Sequence, residues 1–246
     1  MQSKKQKKQT LYTKPYLETK FSLEIVTNSQ DKKVVALKNA YNKNTPYTVE
    51  LTSECMGVLF SDLGPSPSKF NDYSVTLVQT LNEKLTTIDP EANTKSSNFV
   101  QWLKDITRQM LEKAWDTKGV METHKKKYEK QENSKEAFIE GATLSMFSEY
   151  NNQETIVFKR KHQNMNGENM RPKIWKVTSK LDDTMIEFSD EVPWVSKNSI
   201  LQVAFRLEMY DMPTSYGISG KLGKDVIAVY LDNYERKKKS IPYIDF

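Results

Sequence analysis

The chain of 246 residues is long enough to bury a full hydrophobic core without covalent cross-links. Its single cysteine, Cys55, excludes an internal disulfide, and two histidines nearly exclude a structural zinc site. The 37 Lys and Arg against 32 Asp and Glu give a net charge of +5, which fits a polyanionic partner, although most charge runs are solvated surface.

The amino end carries lysines without the apolar segment that a secretory signal requires. No run approaches the roughly 18 apolar residues that a membrane-spanning helix needs. We therefore expect a soluble intracellular protein with no membrane partner. Residues 1–19 predict a flexible basic lead-in, followed by a single domain over 20–234 and a basic tail over 235–246.

The first part of the domain predicts β-strands. FSLEIV (21–26) and KVVALK (33–38) lie on either side of a turn-like segment and predict a hairpin. TPYTVELT (45–52) and YSVTLVQ (73–79) alternate apolar and polar residues, which is typical of half-buried strands. The prolines, glycine and serines of 63–72 predict the loop before the second of these.

A helical insertion is predicted around 97–148. Ser97 or Asn98 can cap a helix over 98–116, because apolar residues recur there at steps of three and four. We expect one face of this helix to pack on the strands through Phe99, Trp102, Ile106 and Met110. The polar stretch that follows, up to Tyr150, predicts a second helix with interruptions.

Strand patterns return in the last third of the chain. TIVFKRK (155–161) and KIWKVTSK (173–180) flank an Asn- and Gly-rich segment that is typical of an exposed hairpin loop. TMIEF (184–188) predicts a short strand, and 200–231 predicts two strands around a loop that holds Tyr210, Met212, Pro213, Tyr216 and Gly217. Strands, one helical insertion and strands again indicate an α+β, mostly β fold. An OB-like Greek-key barrel suits this order, and a sandwich stays open as an alternative.

The motifs favour a non-enzymatic protein with no cofactor and no metal site. ISGKLGK (218–224) lacks the phosphate-loop spacing and has Leu222 where a magnesium-binding Ser or Thr is required. His124 and His162 lie in very polar stretches that are typical of surface histidines. A nuclease whose carboxylates meet only in three dimensions stays open as an alternative.

Basic and aromatic residues interleave on the predicted strands. A period of two places Trp175 beside Arg171 and Lys173, and Phe158 beside Arg160. The resulting candidate contacts are stacking rings at Phe158, Trp175, Tyr210 and Tyr216, and phosphate contacts at Lys159, Arg160, Lys161, Arg171, Lys173 and Arg206. Burial against a core is the alternative for each ring.

The closing segment VPWVSKNSILQVAFRLEMYDMPTSYGISGKLGKDVIAVYLD resembles the last hairpin of a viral family. The shared features are the entry through Lys197, Ser199 and Ile200, the Tyr216–Gly217 turn and the apolar run 226–231. The family comprises single-stranded DNA-binding proteins of large nucleocytoplasmic DNA viruses, including those of poxviruses and asfarviruses. The resemblance implies an OB-type fold and cooperative, sequence-independent binding in the cytoplasm or nucleus of an infected host cell.

The ending PYIDF resembles the aromatic carboxyl terminus of bacterial and T7-like phage single-strand binders. That resemblance implies recruitment of replication proteins through Phe246. Here ERKKK precedes the ending, whereas those tails are acidic, and a basic tail suits added phosphate contacts instead.

The sequence thus predicts a single-stranded DNA-binding protein that supports viral DNA replication, recombination or repair. Single-stranded RNA as ligand and assembly into a homo-oligomer stay open. The alternative is a viral structural or assembly protein that uses the aromatic hairpin as a protein–protein interface.

Overall fold

The computed structural model describes residues 16, 20–40, 48–64, 68, 72–78, 90–177, 185–187, 195, 197 and 199–230. Within these ranges the chain is mostly strand with one group of helices, which confirms the predicted α+β, mostly β class. The predicted basic tail lies outside the described residues. So does the lead-in, apart from Tyr16, whose buried ring packs on Phe99 and Trp102.

The predicted first hairpin is confirmed. Strand β1 (Phe21–Thr27) pairs antiparallel with β2 (Lys33–Asn39). The side-chain oxygen of Asn28 accepts the backbone N–H groups of Gln30 and Lys32, and this holds the turn between the strands. The central residues of β2 are buried, and Phe21, Leu23 and Val26 of β1 pack partly buried against the same core.

A closed circuit of strands forms the centre of the domain. Its members are β4 (Met56–Ser61), β5 (Asp72–Val78), β8 (Gln153–Lys161), β11 (Ile200–Asp211) and β12 (Tyr216–Tyr230). Antiparallel pairing joins β12 to β11, β11 to β4, β4 to β5 and β5 to β8. A parallel contact between β8 and β12 closes the circuit. A closed five-stranded circuit is compatible with an OB-like barrel.

Shorter strands extend this barrel. They are β3 (Leu51–Thr52), β6 (Thr143–Leu144), β7 (Phe147–Tyr150), β9 (Lys173–Val177) and β10 (Met185–Glu187). Strand β7 pairs with β8, while β9 runs parallel to β12 just beyond the place where β8 leaves it. Strands β8 and β9 therefore run in the same direction along one edge of β12, and the predicted pairing of 155–161 with 173–180 is wrong. An antiparallel bridge between Gln163 and Asn169 lies in the connecting segment 161–171.

Helix α1 (Ala92–Asp116) begins six residues before the predicted 98–116 helix. The Ser97 or Asn98 cap is therefore wrong. Ser96 lies inside the helix, is buried, and donates its hydroxyl to the Asn93 carbonyl. The predicted packing face is confirmed for Phe99, Ile106 and Met110, all at most 2% exposed, whereas Trp102 is only partly buried.

The interrupted helix predicted after α1 is partly confirmed. It consists of α2 (Glu122–Lys125) and α3 (Ser134–Glu140), and strand pairing resumes at Thr143. Aromatic contacts join the helices to the barrel: Phe99 meets Phe205 edge to face at 5.6 Å, and Phe138 stacks on Tyr216 at 4.7 Å. The core is therefore shared by α1, α3 and the inner face of the barrel.

Candidate nucleic-acid interface

Three of the four rings predicted to stack on bases are buried. Phe158 is 0% exposed, Tyr216 4% and Trp175 5%. The ring of Phe158 lies 5.0 Å from that of Phe205. The exposed stacking surface expected for these three rings is therefore wrong, because burial leaves no ring face for a base.

Two of these buried rings also have their polar atoms bonded within the fold. The Tyr216 hydroxyl donates to the Phe138 carbonyl at 2.6 Å. Burial raises the pKa of Tyr216, and the hydrogen bond with Tyr128 raises it further. The Trp175 indole N–H donates to an Asp225 carboxylate oxygen at 2.9 Å. Tyr216 and Trp175 therefore pack inside the fold, and each forms a hydrogen bond there through its polar atom.

Arg160 is likewise wrong as a phosphate contact. Its side chain lies on the inner face of β8, the residue is 9% exposed, and its guanidinium donates to the carbonyls of Met170 and Leu222. Burial lowers the pKa of Arg160, and the nearby positive charge of Arg206 lowers it further. The guanidinium therefore links the backbone at Met170 to the backbone of β12 at Leu222, next to the point where β8 and β12 diverge.

The outer face of the barrel carries three cations side by side. Lys159 on β8 lies directly opposite Lys221 on β12, and Lys221 lies directly opposite Arg206 on β11. We call these three residues the cation row. Neighbouring strands are about 5 Å apart, so the row spans about 10 Å. Lys159 is exposed, and Lys221 and Arg206 are partly exposed.

Like charges directly opposite one another destabilise a sheet. The Glu50 carboxylate, 3.7 Å from Arg206 Nε, offsets part of this repulsion, although that buried nitrogen has no hydrogen-bond partner among the described residues. Glu208, two residues further along β11, is exposed. The cation row is therefore a candidate surface for an anion.

Further predicted cations extend from the row along β8 and β9 and the segment that joins these strands. Lys161 follows Lys159 by two residues and shares its outward face, and both are exposed. Lys173 on β9 is exposed, and its ammonium lies 5.7 Å from the centroid of the Trp175 ring. Arg171 is partly exposed, two residues before β9 begins. These four residues stay predictions as phosphate contacts.

Tyr210 is the predicted ring that keeps solvent exposure. It lies four residues beyond Arg206 on the outward face of β11, and its hydroxyl approaches the Thr143 carbonyl at 3.4 Å. Gly217 lies opposite, where a Cβ atom would come 1.8 Å from the same carbonyl oxygen. Glycine therefore lets β6 approach β12 and support the Tyr210 hydroxyl.

Two exposed rings on the same face were missed by sequence reasoning. Phe60 is 50% exposed and Tyr150 is 44% exposed, and their rings meet edge to face at 5.1 Å. Phe60 lies opposite Thr76, which lies opposite Val157, two residues before Lys159. This ring pair therefore shares the outer face of the barrel with the cation row.

A β-bulge explains why Phe60 points outward. Met56 and Val58 are buried, and simple alternation would bury residue 60 as well. The pairing of β4 with β5 shifts register between Val58 and Phe60. Bulges of this kind re-aim side chains. Gly57 in MGVLF is a weak signal for this bulge, because an isolated glycine inside a strand often accompanies one, but it does not fix the position of the register shift.

Neither a metal centre nor a membrane span is found in the described part of the chain. Its His, Cys, Asp and Glu residues form no group of three or more that could hold a metal ion. None of its helices is long and apolar enough to cross a membrane.

Comparison with solved structures finds phage single-stranded DNA-binding proteins. The gp2.5 protein encoded by bacteriophage T7 matches with a TM-score of 0.46 and 15% identity, covering 77% of this chain and 96% of that chain. The single-stranded DNA-binding protein from bacteriophage Enc34 matches with a TM-score of 0.44 and 12% identity, covering 88% of this chain and 95% of that chain. The Enc34 protein in complex with ssDNA matches with a TM-score of 0.38 and 11% identity, covering 85% of this chain and 97% of that chain.

No protein-family model matches the chain, and no curated protein matches it. At the identities and TM-scores found for the phage proteins, these likenesses assign no function to this chain.

Proposed function

We propose that the protein binds single-stranded DNA without sequence preference on the outer face of its barrel. The cation row carries this proposal, because Lys159, Lys221 and Arg206 present adjacent positive charges on one solvated surface. Lys and Arg contacts to phosphates release counterions and supply affinity that does not depend on base sequence.

The Phe60–Tyr150 pair provides the contact to bases. Both rings keep about half of their surface exposed on the face that carries Lys159. Stacking of a base on such a ring contributes about 1–3 kcal/mol and tolerates any base, because every base has a π-face. In a duplex these faces are already stacked, so the ring pair selects an unpaired strand.

The narrower role that we propose is support of viral DNA replication, recombination or repair, in a lineage related to the poxvirus and asfarvirus proteins. The resemblance of the last hairpin supports this lineage. Single-stranded RNA binding and self-association stay open within this proposal. Recruitment of replication proteins by Phe246 concerns a tail outside the described residues.

The deciding experiment is a fluorescence-anisotropy titration of labelled oligo(dT) at several salt concentrations, beside a duplex of equal length. The test variant is Lys159→Gln/Lys221→Gln. The control is Lys126→Gln/Lys130→Gln, which removes the same charge from exposed lysines between α1 and α3. Each lost phosphate contact lowers the salt slope by about 0.7, so we expect a decrease of about 1.4 in the test variant alone.

Equal salt slopes for the two double variants would refute the cation row as the binding surface. Equal affinity for oligo(dT) and duplex would refute the stacking contribution. If no binding occurs at low salt while the protein self-associates, the structural or assembly role gains support.

A further inference from the structure

A carboxylate lies at one end of the cation row. Strand β3 pairs antiparallel with β11, and Leu51 lies opposite Phe205. The next position in this register places Glu50 opposite Arg206, on the edge of β11 away from Lys221. Along the row the charges are therefore positive on β8, β12 and β11, and negative at the residue before β3.

The contact between Glu50 and Arg206 is loose and partly open to solvent. A Glu50 carboxylate oxygen lies 3.7 Å from Arg206 Nε, and the side chains of Glu50 and Arg206 are 32% and 26% exposed. Arg206 Nε itself is buried and has no hydrogen-bond partner among the described residues. An arginine bound tightly to a carboxylate forms two short parallel hydrogen bonds. Glu50 therefore adds its charge to the row without a hydrogen bond to this nitrogen.

An irregular part of β12 leaves room for Glu50 beside the row. The pairing of β11 with β12 shifts register between Val203 and Phe205, and residues 223–225 of β12 lie outside the regular register. A Cβ atom on Gly223 would come 2.7 Å from Cδ of Glu50. Glycine at this position therefore gives the Glu50 carboxyl group its space next to the cations.

Glu50 also stabilises the arginines of the barrel. Burial lowers the pKa of Arg160, the positive charge of Arg206 lowers it further, and the Glu50 carboxylate raises it. A carboxylate with this role alone would affect the stability of the fold and not the choice between two ligands. The two roles are therefore separable by experiment.

A carboxylate beside the row repels DNA phosphates, and the repulsion differs between a single strand and a duplex. Duplex DNA carries one negative charge per about 1.7 Å of its axis, twice the density of one of its strands. Its persistence length of about 150 base pairs keeps it straight over the width of this domain. A single strand is flexible and can turn its backbone away from Glu50 after contacting the cations. A duplex keeps phosphates of both strands near the carboxylate.

We propose that Glu50 is a specificity-determining residue, which weakens the binding of duplex DNA to the cation row more than it weakens the binding of a single strand. This inference depends on the single-strand binding proposed above, at the same surface. Specificity often arises from an unfavourable group placed against the wrong ligand. The Phe60–Tyr150 pair selects the unpaired strand by attraction, and Glu50 selects it by repelling the duplex.

The test measures binding of labelled oligo(dT) and of a duplex of equal length to the full chain by fluorescence anisotropy at low salt. Glu50→Gln removes the charge, and Glu50→Asp keeps it. The matched control is Glu132→Gln, which removes the same charge from an exposed residue between α2 and α3.

We expect Glu50→Gln to bind the duplex about tenfold more tightly and oligo(dT) at most about threefold more tightly. The reason is that repulsion between a carboxylate and one phosphate at about 7 Å corresponds to about threefold in affinity in water, and the duplex keeps more than one phosphate in reach. Both gains should fall as salt screens the charges. Glu50→Asp and Glu132→Gln should leave the ratio of the two affinities unchanged.

An equal gain for both ligands in Glu50→Gln would refute the inference, because net charge alone explains it, and unchanged affinities would refute it too. Urea denaturation of the same variants detects the structural role. A loss of stability with a parallel loss of both affinities would assign Glu50 to the fold alone. If the unchanged protein binds the duplex as tightly as oligo(dT), there is no discrimination and the inference is wrong. If it fails to bind oligo(dT), the proposed function itself is wrong.

Discussion

The inner and outer faces of the same barrel strands have opposite properties. On β8 the inward Phe158 is 0% exposed and contacts Phe205, while its neighbour Lys159 is exposed and lies opposite Lys221. The inner face is apolar and aromatic apart from the buried Arg160, and the outer face carries the cation row and the Phe60–Tyr150 pair. An aromatic residue on a strand therefore indicates a core or a binding surface only after the inward face of that strand is known.

The largest expected effect is that of Phe158→Ala, which changes the inner face. Removing a fully buried phenylalanine leaves a cavity and should lower the free energy of unfolding by about 3–5 kcal/mol. Urea denaturation measures this loss. The variant that remains folded at low temperature should bind oligo(dT) with unchanged salt dependence. A stable variant with weakened binding would place Phe158 in the interface and contradict the assignment of the two faces.

Phe60→Ala on the outer face should have the reverse profile. We expect binding of oligo(dT) to weaken by about 1–3 kcal/mol through the loss of one stacking contact. The free energy of unfolding should change by less than about 0.5 kcal/mol, as for other surface substitutions. Anisotropy and urea denaturation on the same preparation measure both quantities. Ile25→Ala serves as the control, since Ile25 is also an exposed apolar residue but lies on the β1–β2 hairpin.

The smallest expected effect is that of Tyr216→Phe, which keeps the ring and removes the hydroxyl. The Phe138 carbonyl then loses its 2.6 Å hydrogen bond, and stability should decrease by about 1 kcal/mol. Affinity for oligo(dT) should stay the same, because the ring is buried. A selective loss of affinity at unchanged melting temperature would return Tyr216 to the binding surface.

Local patterns predicted the elements well. The period of two separated Phe158 and Arg160 from Lys159 and Lys161, and the structure confirms that sorting. It could not tell which set faces inward, since each set contains cations and only closure of the barrel decides the matter. The apolar repeat likewise predicted the packing face of α1 but not its start at Ala92.

The candidate site depends on relations between distant segments. Lys159 and Lys221 are opposite each other only because β8 and β12 close the barrel. Phe60 faces outward only because a register shift interrupts β4. The pairing of β8 with β12 leaves no mark within a short window of sequence, and Gly57 alone does not fix where β4 shifts its register. Lys221, Phe60 and Tyr150 were therefore absent from the predicted site, and three buried rings took their place.

The closure of the barrel lies at the cation row. Strands β8 and β12 meet at the Lys159–Lys221 pair, where two like charges face each other, and the Arg160 guanidinium spans the neighbouring gap to Leu222. Phosphates bound across these lysines would screen their repulsion and join the two strands. Ligand binding should then stabilise the closed barrel. We expect it to raise the melting temperature of the protein and to slow amide hydrogen exchange in β8 and β12.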